Sequence, residues 1–182
     1  MDAVTALDVA TAGFADALSR VVPDHWAAPT PNPGWSVHDL VNHVVGGNRR
    51  YVLLLAGAPT DVVESLRDVD HLSQDWSRDF ALTSREVAAA FREPGVLERT
   101  VHHRMGDRSG RQLLTMRITE HALHGWDLAK AIGIGYQIHD GVAAVLLDEM
   151  ASDPLIAGGF TPLAGPSELV GSEKLLALTG RR

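Results

Sequence analysis

The chain has 182 residues, 45% of them hydrophobic, enough to bury one core of ordinary size and too apolar for a disordered chain. Its formal net charge of −7 disfavours a nucleic-acid groove, and the basic pairs Arg49–Arg50 and Arg181–Arg182 are too short to reverse that. With no cysteine, disulfides, thiolate metal clusters and cysteine nucleophiles are excluded, so any sulfur chemistry must draw on a small-molecule thiol.

The opening "MDAVTALDVATAGFADAL" has Asp2 and no basic residues ahead of its apolar ones, which does not fit a secretory signal. No run of about 18 uninterrupted apolar residues offers a membrane span. The expectation is a cytoplasmic protein that binds neither membrane nor nucleic acid, with a homodimer as one option. Val4, Leu7, Phe14, Leu18, Val21 and Val22 recur at three- and four-residue steps, predicting an amphipathic helix over 4–22. "PDHWAAPTPNPGW" cannot continue it, because its four prolines and a glycine break helical hydrogen bonding. In "GWSVHDLVNHVVGG", Ser36 and Asp39 have the spacing of a capping box, and Trp35 can staple onto Leu40. That helix should run to about residue 56, before Gly57 and Pro59.

Residues 58–73 have room for a short helix, and a long one follows over about 75–93, stopped by Pro94–Gly95. "VLERTVHHR" suits a short extended piece and "GDRSGR" a turn into a helix over about 111–132. Residues 140–152 read as helical, and "SELVGSEKLLALTG" supplies a closing helix. These elements predict an all-α, single-domain four-helix bundle with at least one crossover. The bundle would occupy about 1–135, with a short C-terminal helical extension over about 136–182.

The segment "RITEHALHGWDLAKAIG" concentrates ionisable groups. On a wheel of about 100° per residue, Arg117, Glu120, His124 and Asp127 form one narrow polar stripe on an otherwise apolar helix. Such a stripe faces either solvent or a polar seam inside a bundle. Glu120 and His124, four apart, can converge on one point, although a surface ion pair has the same spacing. His121 points about 60° from His124, so "EHALH" lacks the two histidines at i, i+4 of the HExxH zinc motif. His43, on the flank of the second helix beside Leu40 and Gly47, is a candidate partner. Alone it also fits a hydrogen-bonded, half-exposed histidine. Gly47 leaves room there for a ligand or a neighbouring helix. Arg117 and Asp127 fit an intrahelical ion-pair ladder, or a substrate-holding arginine and a carboxylate orienting a histidine. Trp35 and Trp126 read as packing residues, His102 and His103 as surface, and His25, His38, His71 and His139 are given no role.

"PNPGWSVHDLVNHVVGGN" and "TEHALHGWDLAKAIG" together resemble the two signature stretches of the DinB-like superfamily. The nearest match is its mycothiol-dependent maleylpyruvate isomerase-like branch of metal-binding proteins. The closing "LLALTGR" is similar to the end of that group. The resemblance implies a DinB bundle with a divalent metal held by His43, Glu120 and His124. It also implies transfer or isomerisation of a small electrophilic substrate assisted by a low-molecular-weight thiol such as mycothiol. Two imidazoles and a carboxylate suit zinc and leave coordination positions open, while iron, nickel and manganese also accept such a set. A metal-dependent hydrolase and a non-catalytic, stress-related metal-binding protein are the alternative readings.

Overall fold

The computed structural model describes residues 1–163 and 168–182. In chain order it contains α1 (Ala3–Leu18), α2 (Val37–Leu55), the short α3 (Thr60–Glu64) and α4 (Trp76–Phe91). A hairpin of β1 (Thr100–His103) and β2 (Gly106–Ser109) precedes α5 (Gly110–Ala131), α6 (Asp140–Ser152), α7 (Pro154–Ala157) and α8 (Gly171–Leu178). α1 packs on α5 and α4, and α2 packs on α4 and α5. The four long helices thus form a bundle with α1 diagonal to α2 and α4 diagonal to α5. Both of those connections cross the bundle, giving the all-α crossover architecture expected. Among the described residues, no helix is long and apolar enough to cross a membrane.

Local chemistry sets the helix ends. Ser36 Oγ accepts from the Asp39 amide at 3.2 Å while Asp39 Oδ2 accepts from the Ser36 amide at 2.9 Å, a reciprocal cap that fixes the start of α2. Ser109 and Gln112 repeat it at the start of α5. α1 stops at Leu18 rather than continuing to residue 22. Val22 is held extended (φ −115°, ψ 161°) ahead of Pro23, whose ring disfavours helical backbone in the preceding residue. α4 ends at Phe91, two residues short of the expectation. "GDRS" is a strand rather than a turn, paired antiparallel with "TVHH" from Thr100↔Ser109 to His103↔Gly106. The closing helix starts at Gly171. The proposed first residue of that segment, Ser167, lies outside the described residues.

α5 is buried on almost every side. Leu113, Leu114, Ile118 and Leu123 enter one half of the core with Leu7, Val87 and Phe91, while Leu128 joins Phe14, Leu40, Val44 and Phe80 in the other. Each such side chain contributes about 1.5–3 kcal/mol by leaving water. A helix wrapped this way leaves little of its polar stripe to solvent. The stripe therefore becomes a seam inside the bundle, facing α2.

Candidate metal centre

The seam brings Glu120 and His124 of α5 against His43 of α2. His43 Nε2 lies 2.7 Å from Glu120 Oε2, and His124 Nε2 lies 3.3 Å from the same oxygen. One potential ligand atom from each residue falls within 4.8 Å of the other two. This is not a surface ion pair: the His124 side chain is 10% exposed and that of Glu120 about one third, at 35%. The Trp35 ring sits 4.7 Å from the His43 ring and 5.9 Å from the His124 ring, centroid to centroid. Packing is Trp35's role as expected, but its packing partners are the two histidines.

Charge organises the cluster. Burial opposes ionisation of Glu120, yet hydrogen bonds and charge from His124 and then His43 hold its carboxyl well below the usual range. Burial lowers the pKa of His43 against the pull of Glu120. Burial also acts to lower that of His124, but the hydrogen bonds of Asp127 and Glu120 win and raise it.

Asp127 belongs to this network, as the last member of an intrahelical series running from Arg117 through Glu120 and His124. Fully buried, it accepts through Oδ2 from His124 Nδ1 at 3.0 Å and from Asn32 Nδ2 at 3.0 Å. Arg181 adds a fork, Nε to Oδ1 at 2.8 Å and Nη2 to Oδ2 at 2.7 Å. With Nδ1–H given to Asp127, His124 Nε2 is the atom turned toward Glu120; loss of its own proton would free the lone pair that a metal ligand requires.

Arg117 is 1% exposed and its Nη2 stands 3.8 Å from Glu120 Oε2, beyond hydrogen-bond reach. Among the described residues its Nε and Nη2 meet no hydrogen-bond partner, while the guanidinium lies 5.2 Å from the centre of the Tyr51 ring. Gly47 makes this position available: a Cβ there would stand 2.2 Å from Arg117 Nη1. The space beside Gly47 is thus filled by a neighbouring helix's arginine. His43, Tyr51, Arg117 and Glu120 line a cavity of about 170 Å³ with Arg50 and His103. His102 is exposed and pairs with Asp107 at 2.8 Å, as a surface residue should. His103 corrects the expectation, because strand alternation turns it inward to the cavity.

His121 stays out of the cluster. Fully buried between Phe14 and Phe80, it lies 2.9 Å from Thr11 Oγ1 through Nδ1 and 3.0 Å from Asn48 Oδ1 through Nε2. The Asn48 amide nitrogen donates to Thr83 and Ser84, so its oxygen accepts from His121 Nε2–H and the ring is neutral. Burial, then the charge of Arg117, pushes its pKa well below 6.5. His121→Ala should cost about 3 kcal/mol through the cavity and two orphaned partners, with metal affinity unchanged. The unfolded chain takes up a proton near pH 6.5 that the folded chain refuses. The His121 contribution is therefore complete above that pH and is lost as pH falls below it. Urea titrations at several pH values should show this slope in wild type and a weaker one in His121→Gln. Equal slopes would refute the assignment.

Sequence reasoning missed Asn32 and Arg181. Asn32 lay in the proline-rich loop that interrupts the first helix, and Arg181 stands 54 positions beyond Asp127 with no periodicity linking them.

The fold and the cluster define a class: a crossover four-helix bundle with two histidines and a glutamate converging between two of its helices. Residues 7–129 match the family model described as the mycothiol maleylpyruvate isomerase N-terminal domain, and the chain belongs to that family. This agrees with the DinB-like resemblance. The uncharacterised proteins MT0763 and Rv0738 of two Mycobacterium tuberculosis strains are each 30% identical, over 100% of this chain and 98% of theirs. The crystal structure of a mycothiol-dependent maleylpyruvate isomerase superposes with a TM-score of 0.66 at 17% identity, covering 92% of this chain and 77% of that one. A histidine-to-alanine mutant of that enzyme gives 0.68 with the same identity and coverage. At that identity the likeness speaks for the fold.

Proposed function

We propose that the chain holds a divalent cation on His43, Glu120 and His124 and uses a low-molecular-weight thiol to transfer to, or isomerise, a small electrophilic anion. The observation that carries this reading is the convergence of three ligand atoms from two helices within 4.8 Å. The donor set fits zinc best, with nickel, iron and manganese as alternatives. The Asp127 carboxylate behind His124 is the outer partner that metal-binding histidines usually have. A divalent cation bound there supplies positive charge that favours the thiolate of a coordinated thiol, whose ordinary pKa is about 8.5.

The chain's own residues do the rest. With a divalent cation bound, His43 and His124 would present neutral Nε2 atoms and Glu120 one negative charge, leaving the site net positive. Asp127 holds the His124 ring by its Nδ1–H. Trp35 covers the two imidazoles. Arg117 lines the same cavity, where its guanidinium could hold a substrate carboxylate by charge-assisted hydrogen bonds. The chain has no cysteine, so the sulfur nucleophile must enter with a second molecule. Membership of the isomerase N-terminal family makes mycothiol the first candidate.

Metal analysis and a thiol screen test this reading. Purified protein should carry a divalent metal. Activity on an electrophilic substrate should need both metal and mycothiol, with glutathione and bacillithiol as controls. A cobalt-substituted sample should gain a sulfur-to-metal charge-transfer band when the right thiol is added. Ester or amide cleavage without thiol and without the band would move the assignment to a metal-dependent hydrolase. Metal binding with neither activity would leave a metal-binding protein.

A further inference from the structure

The cluster's support extends beyond the bundle. α8 ends in a cap at Thr179, whose Oγ1 donates to Leu175 O at 2.9 Å, followed by Gly180 at φ +80°. An L side chain at Gly180 would be strained by that backbone, so glycine is what lets the chain turn there. The turn aims Arg181 back at α5. Its amide donates to Leu176 O at 2.8 Å and its Nη1 donates to Thr179 O at 3.0 Å, which fixes both ends of the side chain. The remaining donors, Nε and Nη2, grip both oxygens of Asp127. The Arg181 side chain is 13% exposed and that of Asp127 1%, so water competes little for this fork.

A carboxylate held by a planar two-pronged donor cannot rotate about its own axis. Oδ2 is thereby kept where His124 Nδ1 reaches it, and the His124 ring keeps the tautomer and tilt that send Nε2 toward Glu120. Asn32 touches Oδ2 alone and cannot set the carboxylate plane. We infer that Arg181 is a positioning residue of the candidate metal centre, acting through Asp127 on His124, so that docking of the segment after α8 completes the site. The inference rests on the metal-holding reading above. Linkage then works both ways: a metal that binds more tightly when Arg181 is docked also tightens that docking.

The experiment compares wild type, Arg181→Ala, Arg181→Lys and the exposed-neighbour control Arg182→Ala. The His124 tautomer is read by imidazole nitrogen NMR in metal-free protein at alkaline pH, and zinc affinity by competition with a chromophoric chelator. Wild type should hold His124 in the Nδ1-protonated form, and Arg181→Ala should show a mixture. Zinc affinity of Arg181→Ala should fall about ten- to a hundredfold, as for other outer partners of ligand histidines. Millimolar guanidinium should restore part of it, and a clamp that merely anchors α8 would not give that rescue at the metal. Arg181→Lys should fall between, because one ammonium cannot fork, and it carries the comparison if the alanine variant loses its circular dichroism. Arg182→Ala should match wild type. An unchanged tautomer, or an unchanged zinc affinity, in folded Arg181→Ala overturns the inference. A wild type that binds no zinc but whose His124 tautomer still responds to Arg181→Ala sinks the metal reading while upholding the control of His124.

Discussion

Glu120→Ala is expected to lower divalent-metal affinity by well over about tenfold, because three side chains leave no redundancy in the ligand set. The carboxylate is also the meeting point of the seam, with His43 Nε2 at 2.7 Å, His124 Nε2 at 3.3 Å and Arg117 Nη2 at 3.8 Å. Removing it leaves cationic or cation-binding groups facing one another with no anion between them. His43→Ala and His124→Ala should give comparable losses, whereas His121→Ala and His103→Ala should not. Isothermal titration with zinc checks all five. A well-folded Glu120→Ala protein that still binds as wild type does would remove the centre from consideration. Loss of binding in His121→Ala with retention in His124→Ala would mean the polar stripe of α5 was assigned to the wrong face.

Arg117→Met is expected to raise stability and lower activity together. Burying a guanidinium with two unsatisfied nitrogens carries a desolvation cost of about 1–3 kcal/mol, and methionine, of similar length, carries none. It can also pack on Tyr51 beside Gly47, where the arginine stands now. Urea unfolding should therefore show a gain of roughly that size. Activity toward an anionic substrate should fall by about a hundredfold, the scale of removing one partner of a buried charge pair. Restoring the charge in Arg117→Lys should recover some activity and forfeit the stability gain. A variant that is less stable yet fully active would show that Arg117 serves the fold instead.

Much of this was legible in the chain because helical order is local. The Ser36–Asp39 box, the start and end of α2, the proline-terminated loop and the narrow stripe on α5 all follow from residues within four positions of each other. The period of 3.6 that aligns Arg117, Glu120, His124 and Asp127 needs no tertiary knowledge. The same arithmetic separated His121 from His124. Pairing His43 with that stripe was a different matter: it lies 77 positions from Glu120, and the match of two signature stretches suggested the pair where spacing could not.

Whether the stripe met water or protein was decided by packing. α5 is enclosed by α1 and α2, which turns a pattern compatible with surface ion pairs into a largely buried polar seam. Strand pairing turned His103 inward, where the run "TVHH" had read as surface. The same enclosure placed Trp35 over two imidazoles and left two Arg117 nitrogens without partners among the described residues. Asp127 was visible as a stripe residue, but its partners arrive from a loop before α2 and from the turn after α8. Such contacts depend on how whole helices cross and where their ends emerge. No local periodicity encodes that, because the burial energy of many distant side chains sets it jointly.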